Sequence, residues 1–355
     1  MNAAASSAWP LCPRPQADES LPSWFERVGY EYTMSPALLL GAVEQTTRTK
    51  RKVDQFLAAS QLYEPSVANR LTVLGRLSDA ERAALWSPPS RWELHDLSFC
   101  TYCPYCCTAD LAEGRSPYGR RVWQQAWCTV CKVHGSALTV RNLAHVPSNR
   151  SCWSHAALKV HREFLAANRY RDLKVRSQPA VRANLLGCLV EIEQTAAAAI
   201  AGTAPNPLLW GALTAASFLT ILDDVTTWAL THYESVRCWS VAEDFTPTEE
   251  QEGYGLIGRS QRMLASDYRP GQVVRNLRDI ANPKVRGAAL WTAHALLATC
   301  HTAATDRASG VTPQERQAAL FVRAAPASRQ WLAQRQAHWP PDYRRSCWID
   351  VQNMA

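Results

Sequence analysis

The sequence predicts a mainly α-helical protein in which two helical regions flank a small zinc ribbon. Three observations carry that prediction. Apolar residues recur at three- and four-residue spacing through much of the chain, the interval of one helix face. Serine, threonine or asparagine stands directly before proline at Ser35-Pro36, Thr246-Pro247, Asn282-Pro283 and Thr312-Pro313, the pairing of a helix cap with a first helical residue. Between Phe99 and Leu138, cysteine and histidine fall in C-x-x-C and C-x-x-H pairs, a spacing set by ligand geometry and by neither helix nor strand period. The expected organisation is a disordered or draped N-terminus over residues 1–17 and a helical, helix-turn-helix-like unit over 18–92. A zinc-binding ribbon over 93–150 and a helical domain over 151–355 follow.

Composition narrows the class. A chain of 355 residues with 47% apolar content can bury real cores, and two or three units are expected. The net charge of +7 is a moderate basic excess, compatible with an anionic partner. Twelve cysteines in a chain this long, clustered in C-x-x-C pairs, read as metal ligands in a reducing compartment and not as a disulfide scaffold. Met1 to Gln16 shows no basic region followed by an apolar one, so no signal peptide is predicted. The longest apolar run, Leu208 to Leu222, stops at Asp223-Asp224 and reads as a buried helix too short to cross a bilayer. A soluble, cytoplasmic (bacterial) protein is expected.

Taken in order, Leu21, Trp24, Phe25 and Val28 mark a first helix, and Ser35-Pro36 opens a second that runs through Val43. The densest basic run is Arg48-Thr49-Lys50-Arg51-Lys52, a candidate nucleic-acid or partner contact. Ser78-x-x-Glu81 is a capping box that opens a short helix ending near Trp86. Beyond the ribbon, Arg169, Arg171, Lys174 and Arg176 belong to a basic stretch that suits phosphates or an ordinary solvated face. Thr246-Pro247-Thr248-Glu249 and Thr312-Pro313-Gln314-Glu315 combine cap, proline and capping-box glutamate, and Asn282-Pro283 opens a helix with Trp291 and Leu296. A final basic tail is punctuated by Trp331, Trp339 and Trp348. These suit base stacking or a protein hot spot, and equally a helix core. No series of β-strands stands out.

In the ribbon, Cys103-Pro104-Tyr105-Cys106 is answered by Cys131-Lys132-Val133-His134-Gly135. Zn²⁺ takes four soft N or S ligands in a tetrahedron, and two short turns supply two each. The favoured ligands are therefore Cys103, Cys106, Cys131 and His134. Pro104 stiffens the first turn and Gly135 frees the chain after the last ligand. A nested set, Cys100, Cys103, Cys128 and Cys131, has the same spacing and stays open as a tetrathiolate alternative. Cys107 lies near, and Cys152 with His155 offers a further pair. Four protein ligands leave no open position for water, which makes the Zn²⁺ structural.

These residues carry a resemblance. CPYC, an aromatic middle from Tyr118 to Trp123, and CKVHG followed by leucine resemble the zinc motif of the TniQ family of transposition proteins. The phrase from Asp18 to Val28, DESLPSWFERV, is similar to that family's opening. The resemblance covers roughly Asp18 to Leu138. It implies a non-catalytic adaptor that selects a transposition target, linking a crRNA-guided, Cascade-like complex to a TnsC-like AAA+ ATPase, with target DNA or RNA met through basic surfaces. As in CRISPR-associated transposons, it implies a homodimer. The alternative the family offers is a TnsD-like protein that binds a DNA attachment site directly.

Enzyme signatures are missing from the sequence. It holds no phosphate loop, no H-E-x-x-H helix and no G-x-S-x-G elbow. Asp223 and Asp224 are adjacent, so on a helix they point about 100° apart, and they read as a helix-end or solvated pair. His232 and His294 read as satisfied core histidines. A zinc enzyme stays as a third, disfavoured reading, since it would need one ligand replaced by water.

Overall fold

The computed structural model describes residues 8–34, 36–44, 62–87, 92–94, 99–142, 179–231, 276–280, 283–297 and 326–347. The fold is mainly helical. The chain divides into two compact units, Met1–Ser177 with Ala281–Pro283, and Gln178–Ile280 with Lys284–Ala355. The helical N-terminal region and the ribbon thus belong to one unit.

Helix α1 (Leu21–Glu31) is the centre of the first. Ser20 caps it with extended backbone, its hydroxyl accepting from the Ser23 N–H. Leu21, Trp24, Phe25 and Val28 are buried as their spacing predicts, and they meet Leu39, Leu40 and Val43 of α2 (Pro36–Glu44) in one core. Helix α3 (Pro65–Gly75) adds Val67 and Leu71. It ends in left-handed backbone at Arg76 (φ 49°), whose N–H and that of Leu77 donate back to Val73 and Thr72, the Schellman closure. After Leu77, Ser78 and Glu81 form the predicted capping box of α4 (Asp79–Leu85). The three-residue turn Arg76-Leu77-Ser78 joins α3 to α4.

Residues 8–17 are draped and not disordered. The Trp9 N–H donates to the Leu74 carbonyl at 2.8 Å, and the indole of Trp24, fully buried, donates to the Pro13 carbonyl at 2.9 Å. A buried indole N–H needs an acceptor, and here the N-terminal segment supplies it.

The ribbon contains two small antiparallel ladders that the sequence did not announce. Strand β1 (Phe99–Tyr102) pairs with β4 (Thr139–Asn142), Tyr102 opposite Thr139, while β2 (Val130–Cys131) pairs with β3 (Ser136–Ala137). Strands of two to four residues are too short to show an alternation. Helix α5 (Pro104–Ala112) follows β1 directly, and a 3-10 turn (Arg121–Gln124) lies in the loop between the two cysteine pairs.

The second unit is helical throughout its described residues. Its elements are α6 (Pro179–Ile200), α7 (Pro207–Trp210), α8 (Ala215–Thr231), a 3-10 turn (Leu277–Asp279), α9 (Pro283–Leu297), α10 (Pro326–Gln336) and α11 (Pro341–Cys347). Helix α8 packs on α6, α10 and the 3-10 turn, burying Phe218, Leu222, Val225 and Trp228. Eight of the eleven described α-helices, from α2 at Pro36 to α11 at Pro341, begin on proline, whose fixed φ suits a first helical position.

Three readings need correction here. The apolar run Leu208 to Leu222 is not one helix: Gly211 (φ 72°) ends α7, and α8 starts at Ala215. Pro207–Leu230 is long and apolar enough to cross a membrane by composition, with a mean hydropathy of 1.4. Its α8 part buries Phe218, Leu222, Val225 and Trp228 inside the second unit, while Leu208 is exposed. Asp224 is also no solvated or helix-end residue; it lies inside α8, accepts from the Trp339 indole at 2.8 Å and faces Arg335 at 3.7 Å. His294 is the buried, satisfied histidine expected, its Nε2 2.9 Å from Glu191 Oε2 and its ring edge-on to Trp210. His232, Thr246-Pro247 and Thr312-Pro313 lie outside the described residues.

Candidate metal centre

Cys103 follows the last residue of β1 and stands in extended backbone at the start of α5. Pro104 at the first helical position turns the chain so that Cys106, in the first turn, returns to the same side. The second pair lies on a hairpin. Cys131 ends β2, Val133 and His134 form its tip, and the Gly135 N–H donates to the Cys131 carbonyl at 2.8 Å. Gly135 has φ 55°, left-handed backbone that a side chain would oppose.

The four side chains meet. Cys106 Sγ lies 3.6 Å from Cys131 Sγ and 3.3 Å from His134 Nδ1, and both Cys103 Sγ and Cys131 Sγ are 3.6 Å from that nitrogen. All four ligand atoms fall within 4.8 Å of one another. A tetrahedral ion with sulfur at about 2.3 Å and nitrogen at about 2.0 Å has ligand–ligand edges of about 3.5–3.8 Å. The cluster has that size and the donor set of a soft metal. Cys103, Cys106 and Cys131 are buried, while the His134 ring is exposed with Tyr105 tilted over it at 5.6 Å.

Electrostatics favour a cation at this point. Hydrogen bonds from Cys106 and Cys131 hold the Cys103 thiol far below its ordinary range, and the same contacts push Cys106 far above it. A divalent ion stabilises all three thiolates together, which couples its binding to proton release.

Cys107 and Cys128 are buried, and the Cys128 thiol approaches the Val130 carbonyl at 3.8 Å. Cys100 is paired through its backbone with Arg141 in the β1–β4 ladder. Among the described side chains the cluster combines Cys103 and Cys131 with Cys106 and His134, without Cys128; the Cys100 side chain lies outside the described residues. Cys152 and His155 lie outside the described residues, as do Arg48, Lys50, Arg51, Lys52, Arg169, Arg171, Lys174 and Arg176.

A second set of residues, missed in the sequence, fastens the loop between the ligand pairs to α1. Glu19, 3% exposed, takes a two-pronged ion pair from Arg27 (Nε 2.8 Å, Nη2 2.6 Å) and a hydrogen bond from the Ser23 hydroxyl at 2.8 Å. Ser23 in turn accepts from the Gly119 N–H, Ser20 N–H donates to the Gly119 carbonyl, and Tyr118 donates to Asp18 at 2.7 Å. On the other side Arg120 forks onto Asp110 of α5, which is fully buried, and lies over the Tyr118 and Trp123 rings at 4.5 and 4.9 Å. Burial opposes the charge on Arg120, but its bonds to Asp110 outweigh that. Part of the signal was available: Ser23 and Arg27 stand four apart on one face of α1, with Glu19 just ahead of its Ser20 cap.

The two motifs thus form one piece of structure, and the comparison with known families treats them as one. Residues 10–138 match the TniQ family model. No curated protein and no solved structure matches the chain. The TniQ match runs from the draped N-terminal segment to the residue before β4, and so holds α1, the α1–loop network and all four ligands. It supports the TniQ family for this part of the chain.

Proposed function

We propose that the protein is a non-catalytic adaptor of TniQ type in transposition, linking a crRNA-guided, Cascade-like complex to a TnsC-like AAA+ ATPase to direct insertion in a bacterial cytoplasm. The observation that carries the reading is that one family match spans both the α1 phrase and the Cys/His cluster, which the structure joins through Ser23 and Gly119. A target-selection role is what that match suggests.

The metal in this reading is Zn²⁺. Three thiolates and an imidazole suit it, and a shell filled by protein keeps no position for a reacting water. Cys103 and Cys106 would hold the ion from α5 and Cys131 and His134 from the hairpin, closing a ribbon too small to bury a core of its own. The role is scaffolding: the cross-linked ribbon orients α1 and the surfaces that partners meet. A homodimer fits the same reading.

The test compares capture of the purified protein by a Cascade–crRNA complex and by TnsC with its binding to bare duplex DNA, across a salt titration. Firm capture by both partners with weak, unselective duplex binding supports the adaptor. Tight, sequence-selective duplex binding without partners would replace it with a TnsD-like reader of an attachment site, for which α3 and α4 with their connecting turn are the candidate element.

A further inference from the structure

We propose that the outer face of α10, in the second unit, binds single-stranded nucleic acid, with Trp331 offering a stacking plane to a base and Arg335 and His338 contacting phosphate. The surface lies outside the residues of the family match, and the inference does not rest on the adaptor reading.

Helix α10 turns Leu332, Ala333 and Gln336 into the core and leaves Gln330, Gln334, Arg335 and the following His338 exposed, with Trp331 half-buried on the same side. The tryptophans of this region divide by role. Trp339 is 2% exposed and spends its indole N–H on Asp224, whereas Trp331 keeps part of its surface open to solvent. Residues three and four apart share a helix face, and Arg335 sits with its guanidinium carbon 5.2 Å from the Trp331 ring centre. An aromatic ring beside a guanidinium plane is the pairing on which unpaired bases stack.

Charge points the same way. From Pro326 to Cys347 the chain carries Arg329, Arg335, Arg344 and Arg345 against Asp342 as its only acid. Asp224 draws on Arg335 through Nε at 3.7 Å, but Arg335 keeps 51% of its side chain exposed, so the pair is screened and the cation still available. The exposed glutamines Gln330 and Gln334 add donors and acceptors that suit base edges. Single strands fit better than duplex: a duplex keeps its bases stacked on each other and meets this face through phosphate alone.

The test is fluorescence anisotropy of a short labelled oligothymidylate with the full chain, beside a duplex of equal length, over a salt series. Trp331→Ala should weaken the single strand about tenfold, the loss of one stacked base, with the duplex nearly unchanged. Trp331→Phe should restore most of the affinity. Arg335→Gln should weaken both and flatten the salt slope by about one phosphate contact. Circular dichroism checks each variant's fold, and should Trp331→Ala unfold, the Phe and Gln variants still decide. Single-strand binding that ignores all three substitutions, or a wild type that prefers the duplex, would overturn the proposal.

Discussion

The backbone N–H of Gly119 donates to the Ser23 hydroxyl at 2.7 Å, joining α1 to the loop between the two halves of the Cys/His cluster across ninety-six residues of chain. Ser23 passes the bond on to Glu19, so one buried hydroxyl serves both sides of the joint.

Ser23→Ala therefore leaves the Gly119 N–H without its acceptor and removes a donor to a buried carboxylate. Destabilisation of about 1–3 kcal/mol is expected, read from urea unfolding followed by tryptophan fluorescence. Gly119→Ala should do comparable damage from the other side, since an added Cβ would lie 3.1 Å from Ser23 Cβ.

The Glu19–Arg27 pair is almost wholly buried, with side chains 0% and 8% exposed. Breaking it with Arg27→Met strands a carboxylate and should cost about 3–5 kcal/mol. Removing both charges, Glu19→Leu with Arg27→Met, should cost much less. A double-mutant cycle measures the difference; equal losses for single and double variants would show that the charges do not compensate each other.

On the zinc assignment proposed above, Cys131→Ser should hold less metal than the unaltered chain and melt the ribbon at lower temperature, because ligand binding and local folding are one equilibrium. Metal analysis with thermal unfolding checks it. Acid should release the ion in the same way, as protons compete for Cys103, Cys106 and Cys131. A folded Cys131→Ser protein with full zinc content would remove the ligand assignment.

Burial alone would lower the basicity of His294, but hydrogen bonds with Cys188 and Glu191 override it and raise its pKa to about 9. A group raised in the folded state stabilises fully below its unfolded value of about 6.5 and loses that contribution as pH rises through the folded one. The second unit should therefore weaken between roughly pH 7 and 9, by on the order of a few kcal/mol. His294→Gln should be less stable at pH 6 and show a flatter profile in calorimetry.

Ser78→Ala removes half of the α4 capping box and should cost about 1 kcal/mol. The Ser78 backbone N–H also holds the Glu81 carboxyl below its usual range. A lowered acid stabilises above its unfolded pKa and gives that up as pH falls, so the α4 cap should fray in acid. Backbone amide exchange at Asp79 to Arg82 would follow it.

Local features of this protein were legible residue by residue. The α1 stripe of Leu21, Trp24, Phe25 and Val28, the Ser78–Glu81 box and the proline starts at Pro36 and Pro283 are short-range patterns whose partners lie within a turn or two. The members of the Cys/His cluster were also legible as two pairs, since C-x-x-C and C-x-x-H each fix a local turn. What the spacing left open was which pairs go together: both nested sets have the same separation, and only the fold puts Cys106 and His134 beside Cys103 and Cys131. The same holds for Ser23 with Gly119, Asp18 with Tyr118 and Asp224 with Trp339. Each joins groups about a hundred residues apart, and no periodicity encodes such a pairing. Propensity and capping act within a few residues of chain, whereas the partner of a buried polar group is chosen by whatever the packed core brings next to it.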